Sequence, residues 1–163
     1  MQKAPLFFLT AVGASRMVGG PPGPAVPLLL IFHSHHGASL AHRINATARE
    51  LYPTVEELQI ASIVDLSAVP RFMRGLVEQT LAAAYHKAAT QVPANRDPRE
   101  YVLIAPDWDG KVTRVFQMQT RAHDVGLVLI SSAWELCHRY TENEPQSVFL
   151  DLLAGHIRAQ QVE

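Results

Sequence analysis

Pro27-Leu28-Leu29-Leu30-Ile31-Phe32 is a continuous apolar run bounded by turn residues, the pattern of a strand covered on both faces. Such a strand belongs in the middle of a sheet with further layers packed against it. Just upstream, Gly19-Gly20-Pro21-Pro22-Gly23-Pro24 can be neither helix nor inner strand, because its prolines lack amide donors and its glycines carry the largest ordering cost. It reads as a surface connection. It is not a phosphate loop either, since no Gly-Lys-Ser/Thr ending follows and the prolines remove amides that a phosphate would need.

Downstream, Leu40, Ile44, Ala48 and Leu51 recur at helical spacing from Ser39 until Pro53 stops the segment. Leu58 to Val64 reads as a second buried strand. From Val69 to about Thr90, residues Val69, Phe72, Met73, Leu76, Val77, Leu81, Ala84, Tyr85 and Ala88 are read as one apolar stripe of a long helix, with Pro70 in its first turn. A polar loop over Pro93 to Pro98 leads to a third strand, Tyr101 to Ile104. Asp107-Trp108-Asp109-Gly110 is a turn, and Lys111 to Met118 a short helix with Val112, Val115 and Phe116 inward. Val125 to Ile130 and Trp134 to Tyr140 form an antiparallel pair. A final helix spans about Pro145 to Arg158, with Val148, Phe149, Leu152, Leu153 and Ile157 toward the core.

At 163 residues and 48% hydrophobic, the chain has the size and apolar content of one compact domain. Residues 1–24 are expected to form an N-terminal hairpin and Gly/Pro loop, and residues 25–163 the core. Lys3, the apolar stretch Ala4 to Val12 and the small residues Gly13-Ala14-Ser15 imitate a secretory signal. Pro5 inside the apolar stretch and the single positive charge favour a hairpin instead, with Leu6 to Val12 as a strand and Arg16 to Val18 as its return. The expectation is therefore a cytoplasmic protein, with a secreted or periplasmic one less favoured.

A net charge of −1 without blocks of like charge gives no electrostatic footprint for nucleic acid or an anionic membrane. No apolar run approaches the roughly 20 residues needed to span a bilayer. One cysteine excludes an intrachain disulfide framework, a CxxC pair and any cysteine-rich metal site.

The predicted order is hairpin, strand, helix, strand, helix, strand, short helix, strand, strand, helix: parallel crossovers first, an antiparallel pair last. That is an α/β sandwich with a mixed central sheet flanked by helices. Ala4-Pro5-Leu6-Phe7-Phe8-Leu9-Thr10 resembles the Ala-Pro-x-Phe-x-Leu opening of TlpA-like thioredoxins and AhpC/TSA peroxiredoxins. Asp107-Trp108-Asp109-Gly110-Lys111-Val112, followed by Phe116, is similar to their Asp-x-Asp-Gly-x-Val…Phe segment. The resemblance implies a thioredoxin-like fold over nearly the whole chain.

Active members of that group carry Cys-Gly-Pro-Cys after the first central strand, whereas this chain reads Phe32-His33-Ser34-His35-His36-Gly37-Ala38-Ser39. With Gly37 at the family's glycine, His36 and Ser39 stand for the two cysteines and Ala38 for the proline. Thiol–disulfide exchange needs an attacking thiolate and a resolving thiol, and neither His nor Ser supplies one. A peroxidatic cysteine is missing from this loop too. The stretch Arg121-Ala122-His123-Asp124-Val125 matches the family's cis-proline loop but has no proline. Thiol oxidoreductase or peroxidase activity is therefore not expected, and Cys137, on the second strand of the antiparallel pair, reads as a small buried hydrophobe.

The functional expectation is a binding or interaction module that uses the former active-site surface, His36, Gly37, Ala38, Ser39 and the facing His123, for a protein or peptide, with a homodimer as another outcome. No cofactor is required by that reading. The alternative is a metal-binding protein or metal-dependent enzyme in which His33, His35, His36 and His123 hold zinc, copper or nickel. Weaker constellations are a triad of Ser39 with His36 or His42 and Asp124 or Asp65, against which Ser39 reads as an N-cap. Arg71 and Arg74, placed against the dipole of the long helix, are candidates for an anionic ligand. Asp107 and Asp109 read as turn formers rather than calcium ligands, and Asn45-Ala46-Thr47 as a chance glycosylation match inside a helix.

Overall fold

The computed structural model describes residues 2–13, 17–19, 26–119, 125–140 and 146–161. In chain order the first strands are β1 (Gln2–Lys3), β2 (Leu9–Thr10), β3 (Met17–Val18) and β4 (Leu28–His33). Helix α1 (Ala38–Leu51), strand β5 (Gln59–Asp65), helix α2 (Arg74–Ala89), helical turn α3 (Pro98–Tyr101) and strand β6 (Ile104–Asp107) follow. The chain continues with α4 (Lys111–Val115), β7 (Val125–Ile130), β8 (Glu135–Tyr140) and α5 (Gln146–Gln161).

Six strands make one mixed sheet in the order β1-β8-β7-β4-β5-β6. All six residues of β4 are buried, as an uninterrupted apolar run requires. It runs parallel to β5, with His33 opposite Val64, and antiparallel to β7, with His33 opposite Val125. The apolar residues of β4 divide by pleat. Leu28, Leu30 and Phe32 face a layer built by the N-terminal segment (Ala4, Phe7), Val112 and Phe116, while Leu29 and Ile31 face α1 (Ala41, Ile44, Ala48) and α5 (Leu153, Ile157). Phe7 and Phe116 meet edge to face at 5.4 Å.

Several expectations need correction. The N-terminal strand is two residues, not seven: β2 pairs with β3 as a separate two-stranded ribbon, and Phe7 turns into the core instead of extending it. Gln2 and Lys3, unremarkable in sequence, close the sheet edge against Leu136 and Glu135. The third inner strand lies three residues later than its apolar pattern suggested. Asp97 caps α3 by accepting from the Arg99 amide (3.0 Å), Pro98 takes the first position, and Tyr101 is helical. Trp134 belongs to the turn before β8, with φ of 61°, and Val115 stays 43% exposed.

The largest correction concerns α2. A 3-10 turn, Arg71–Met73, precedes the α-helix, Pro70 sits before that turn with extended backbone, and only Tyr85 of the helix is buried. Phe72 is 87% exposed and Leu76 59%. The apolar residues wrap around the helix instead of forming a stripe: at about 100° per residue, Leu76 lies half a turn away from Tyr85. Tyr85 anchors the helix by covering Gly13, whose φ of +74° and lack of a Cβ let the ring approach.

Candidate functional site

Strands β4, β5 and β6 run parallel, so His33, Asp65 and Asp107 end them at one edge of the sheet. From that edge the chain enters α1, α2 and α4. In open α/β sheets the carboxyl ends of the strands, with the helix starts that follow, are where ligands settle.

His33 is 7% exposed, and its Nδ1 lies 2.9 Å from the Ser34 carbonyl oxygen. A carbonyl only accepts, so Nδ1 carries the hydrogen and Nε2 keeps the basic lone pair. Burial pushes the imidazole below its usual 6.5, with the Ser34 bond opposing by less, so His33 is held neutral. Ser34 Oγ is buried without a hydrogen-bond partner.

His35, His36 and Gly37 form a 3-10 turn, and the two exposed imidazole rings lie 5.5 Å apart, edge to face. Gly37 is buried and serves as N-cap of α1, which has no side-chain cap. Ser39 is therefore the second residue of the helix and exposed, which overturns its reading as the cap: the 3-10 turn brings the helix start forward. His36, Gly37, Ala38 and Ser39 thus gather at the mouth of β4, with exposed His42 on α1. His33 is separated from His35 by the strand end and buried beneath it. His123 and Asp124 lie outside the described residues. Among the described residues no three His, Cys, Asp or Glu side chains form a group able to hold a metal ion.

The carboxylates of this edge are each committed locally. Asp65 accepts from the Ser67 amide (3.0 Å) and hydroxyl (2.7 Å). Asp107, buried, accepts from the Thr113 amide (2.8 Å) and hydroxyl (2.7 Å) and so fixes the start of α4. Asp109 accepts from the Lys111 amide at 3.0 Å, which holds its carboxyl below the usual range. Gly110, at φ +67°, packs against Ser67, where a Cβ would come within 2.9 Å of the Ser67 Cβ. These contacts bear out the turn-former reading and tie the β5 and β6 loops together.

Sequence reasoning singled out Arg71 and Arg74 but missed the stacking of the Arg74 guanidinium 5.1 Å over the Trp108 ring and the exposure of Phe72, in the 3-10 turn, and Leu76, on α2. The only available signal was the pair of cations at a helix start. Cys137 lies in the irregular β7–β8 pairing near Ile130, which pairs with Leu28 at the opposite end of β4. Burial pushes its thiol up, and Sγ donates to the Glu135 carbonyl at 3.4 Å, so it is no activated nucleophile. Thr47 lies on α1 with its hydroxyl donating to the Arg43 carbonyl (2.9 Å), so the Asn45-Ala46-Thr47 match is helical.

No family profile matches the sequence, and no curated protein matches it. Solved structures do. A protein assigned as a thiol:disulfide interchange protein DsbE from Chlorobium tepidum superposes with a TM-score of 0.65 at 14% identity, covering 96% of each chain. One assigned as a thioredoxin from Neisseria meningitidis gives 0.65 at 17%, covering 100% of this chain and 95% of the other. A thiol-disulfide oxidoreductase from Bacteroides fragilis gives 0.58 at 14%, covering 93% and 99%. The fold is thioredoxin-like, and the one cysteine of the chain cannot make the CxxC pair. Among the described residues no helix is long and apolar enough to cross a membrane.

Proposed function

We propose that this thioredoxin-like chain is a redox-inactive binding module that engages an extended peptide or protein at the edge formed by His36, Gly37, Ala38 and Ser39. The observation that carries the reading is the start of α1. In this reading the place of a redox pair is taken by a buried glycine cap, a methyl group, an imidazole and a hydroxyl; α1 has no side-chain cap, and its Ala38 amide donates to the His35 carbonyl. Such a mouth can hold a polar chain by hydrogen bonds while offering no thiolate. The AhpC/TSA-like opening, the Asp-x-Asp-Gly segment and a cytoplasmic setting fit this reading and belong to it as proposals.

A peptide-display library panned on the full chain tests it, followed by amide-shift mapping of the selected peptides. Shifts at residues 34–39 are expected. Selected peptides that shift only the opposite edge, around Pro27 and Leu58, contradict it.

One observation favours a second reading. His33 offers Nε2 with its tautomer fixed by the Ser34 carbonyl, the arrangement of a preset metal ligand. In that reading zinc or another transition metal is held with His35, His36 and His123. Elemental analysis of the purified protein decides: stoichiometric metal lost in His36→Ala supports it, and no metal at any loading removes it.

A further inference from the structure

We infer that the start of α2 docks an acidic peptide segment carrying an apolar anchor, an inference that rests on the binding-module reading and names the chemistry of its partner. Phe72 (87% exposed), Leu76 (59%) and Met73 (37%) lie together where the chain leaves the functional edge. Phe72 in the 3-10 turn and Leu76 in the first turn of α2 are both turned to solvent. An apolar cluster of this kind on a helix facing water is a contact surface rather than core.

Charge selects the occupant. Arg71 opens the 3-10 turn and Arg74 the helix that follows, an end where the dipole disfavours cations, and neither first turn contains an acidic residue. Among the described residues neither arginine is in an ion pair. Arg74 is held over Trp108, which restricts its guanidinium before any partner arrives. The neighbouring carboxylates Asp65 and Asp109 are turned to the Ser67 and Lys111 amides. An anion at this place meets two unpaired guanidinium groups and the positive end of a helix. A second copy docked with these arginines at the two-fold axis would instead set them against their own counterparts. A basic segment would meet the same repulsion.

The test uses the full chain and a fluorescein-labelled synthetic peptide, Glu-Asp-Phe-Glu-Asp-Leu, followed by anisotropy. Binding is expected to weaken about tenfold in Phe72→Ser and again about tenfold in the Arg71→Glu, Arg74→Glu double variant. It is also expected to weaken as salt rises. The charge-reversed peptide Lys-Arg-Phe-Lys-Arg-Leu should ignore the parent chain and bind the double variant. Circular dichroism of each variant should match the parent, because every altered side chain is exposed. The inference is overturned if the acidic peptide does not bind, if both peptides bind the parent equally, or if Phe72→Ser changes nothing. A concentration-dependent dimer abolished by Phe72→Ser would also overturn it, in favour of a second copy. Should it fall while display-selected peptides still shift residues 34–39, the binding-module reading survives; should those shifts also be missing, both go.

Discussion

Strand β4 and the start of α2 are both written in large apolar residues, and the molecule uses them oppositely. Leu28 to Phe32 are at most 2% exposed, whereas Phe72 and Leu76 stand mostly in water. A central strand has two faces and the sheet covers both, so every apolar residue there finds a partner. Helix α2 contributes no residue to either core cluster and buries only Tyr85, against Gly13. Its other apolar residues are not required by the core. The comparison separates residues that hold the fold from residues available for recognition, and both kinds converge on one edge of the sheet.

The comparison can be broken or sharpened by substitution. Ile31→Ala removes a fully buried side chain between the sheet and the α1–α5 layer, and should cost about 2–5 kcal/mol in chemical denaturation. Asp107→Ala strips the start of α4 of its buried acceptor, leaves the Thr113 amide and hydroxyl unpaired, and should cost about 2 kcal/mol. A loss below half a kcal/mol at either place, roughly the scatter of surface substitutions, would contradict this division of labour.

A smaller effect comes from His33. Its pKa is lowered in the folded chain, so the unfolded chain binds the proton more tightly and stability falls with acid. The His33 contribution is fully present above about 6.5 and is lost as pH drops from there through the lower folded value. Melting temperature measured across that window should fall more in the parent than in His33→Gln; equal slopes would contradict a buried neutral imidazole. Smallest of all, Phe72→Ser should leave stability within about 0.5 kcal/mol of the parent, and a loss comparable to Ile31→Ala would place Phe72 in the core after all.

Much of the fold was legible because it rests on patterns with one physical solution. The apolar run of β4, the spacing of Leu40, Ile44 and Ala48, and the β7–β8 pair each admit a single placement. The rest depended on competition that a pattern does not display. Asp97-Pro98 nucleates a helical turn in what reads as the lead into a strand. On α2 the spacing itself spreads the apolar residues, since Leu76 and Tyr85, nine positions apart in one α-helix, lie on opposite sides. At the site, the gathering of His36, Gly37, Ala38 and Ser39 was legible from the strand-to-helix junction. The burial of His33 was not, because it stands between β5 and β7, opposite Val64 and Val125, which lie far along the chain. The exposure of Phe72 was likewise hidden, since apolar identity alone does not say which residues a sheet has room to cover.

The binding-module reading rests on the proposed correspondence of His36 and Ser39 with the two cysteines of a redox pair. The direct measurement is thiol–disulfide exchange by the His36→Cys, Ser39→Cys double variant in a Cys137→Ser background, beside the unaltered chain. The account predicts that the variant closes an internal disulfide under oxidising glutathione and reduces insulin, while the unaltered chain does neither. A variant whose two thiols stay open, or an unaltered chain that already turns insulin over, would contradict it.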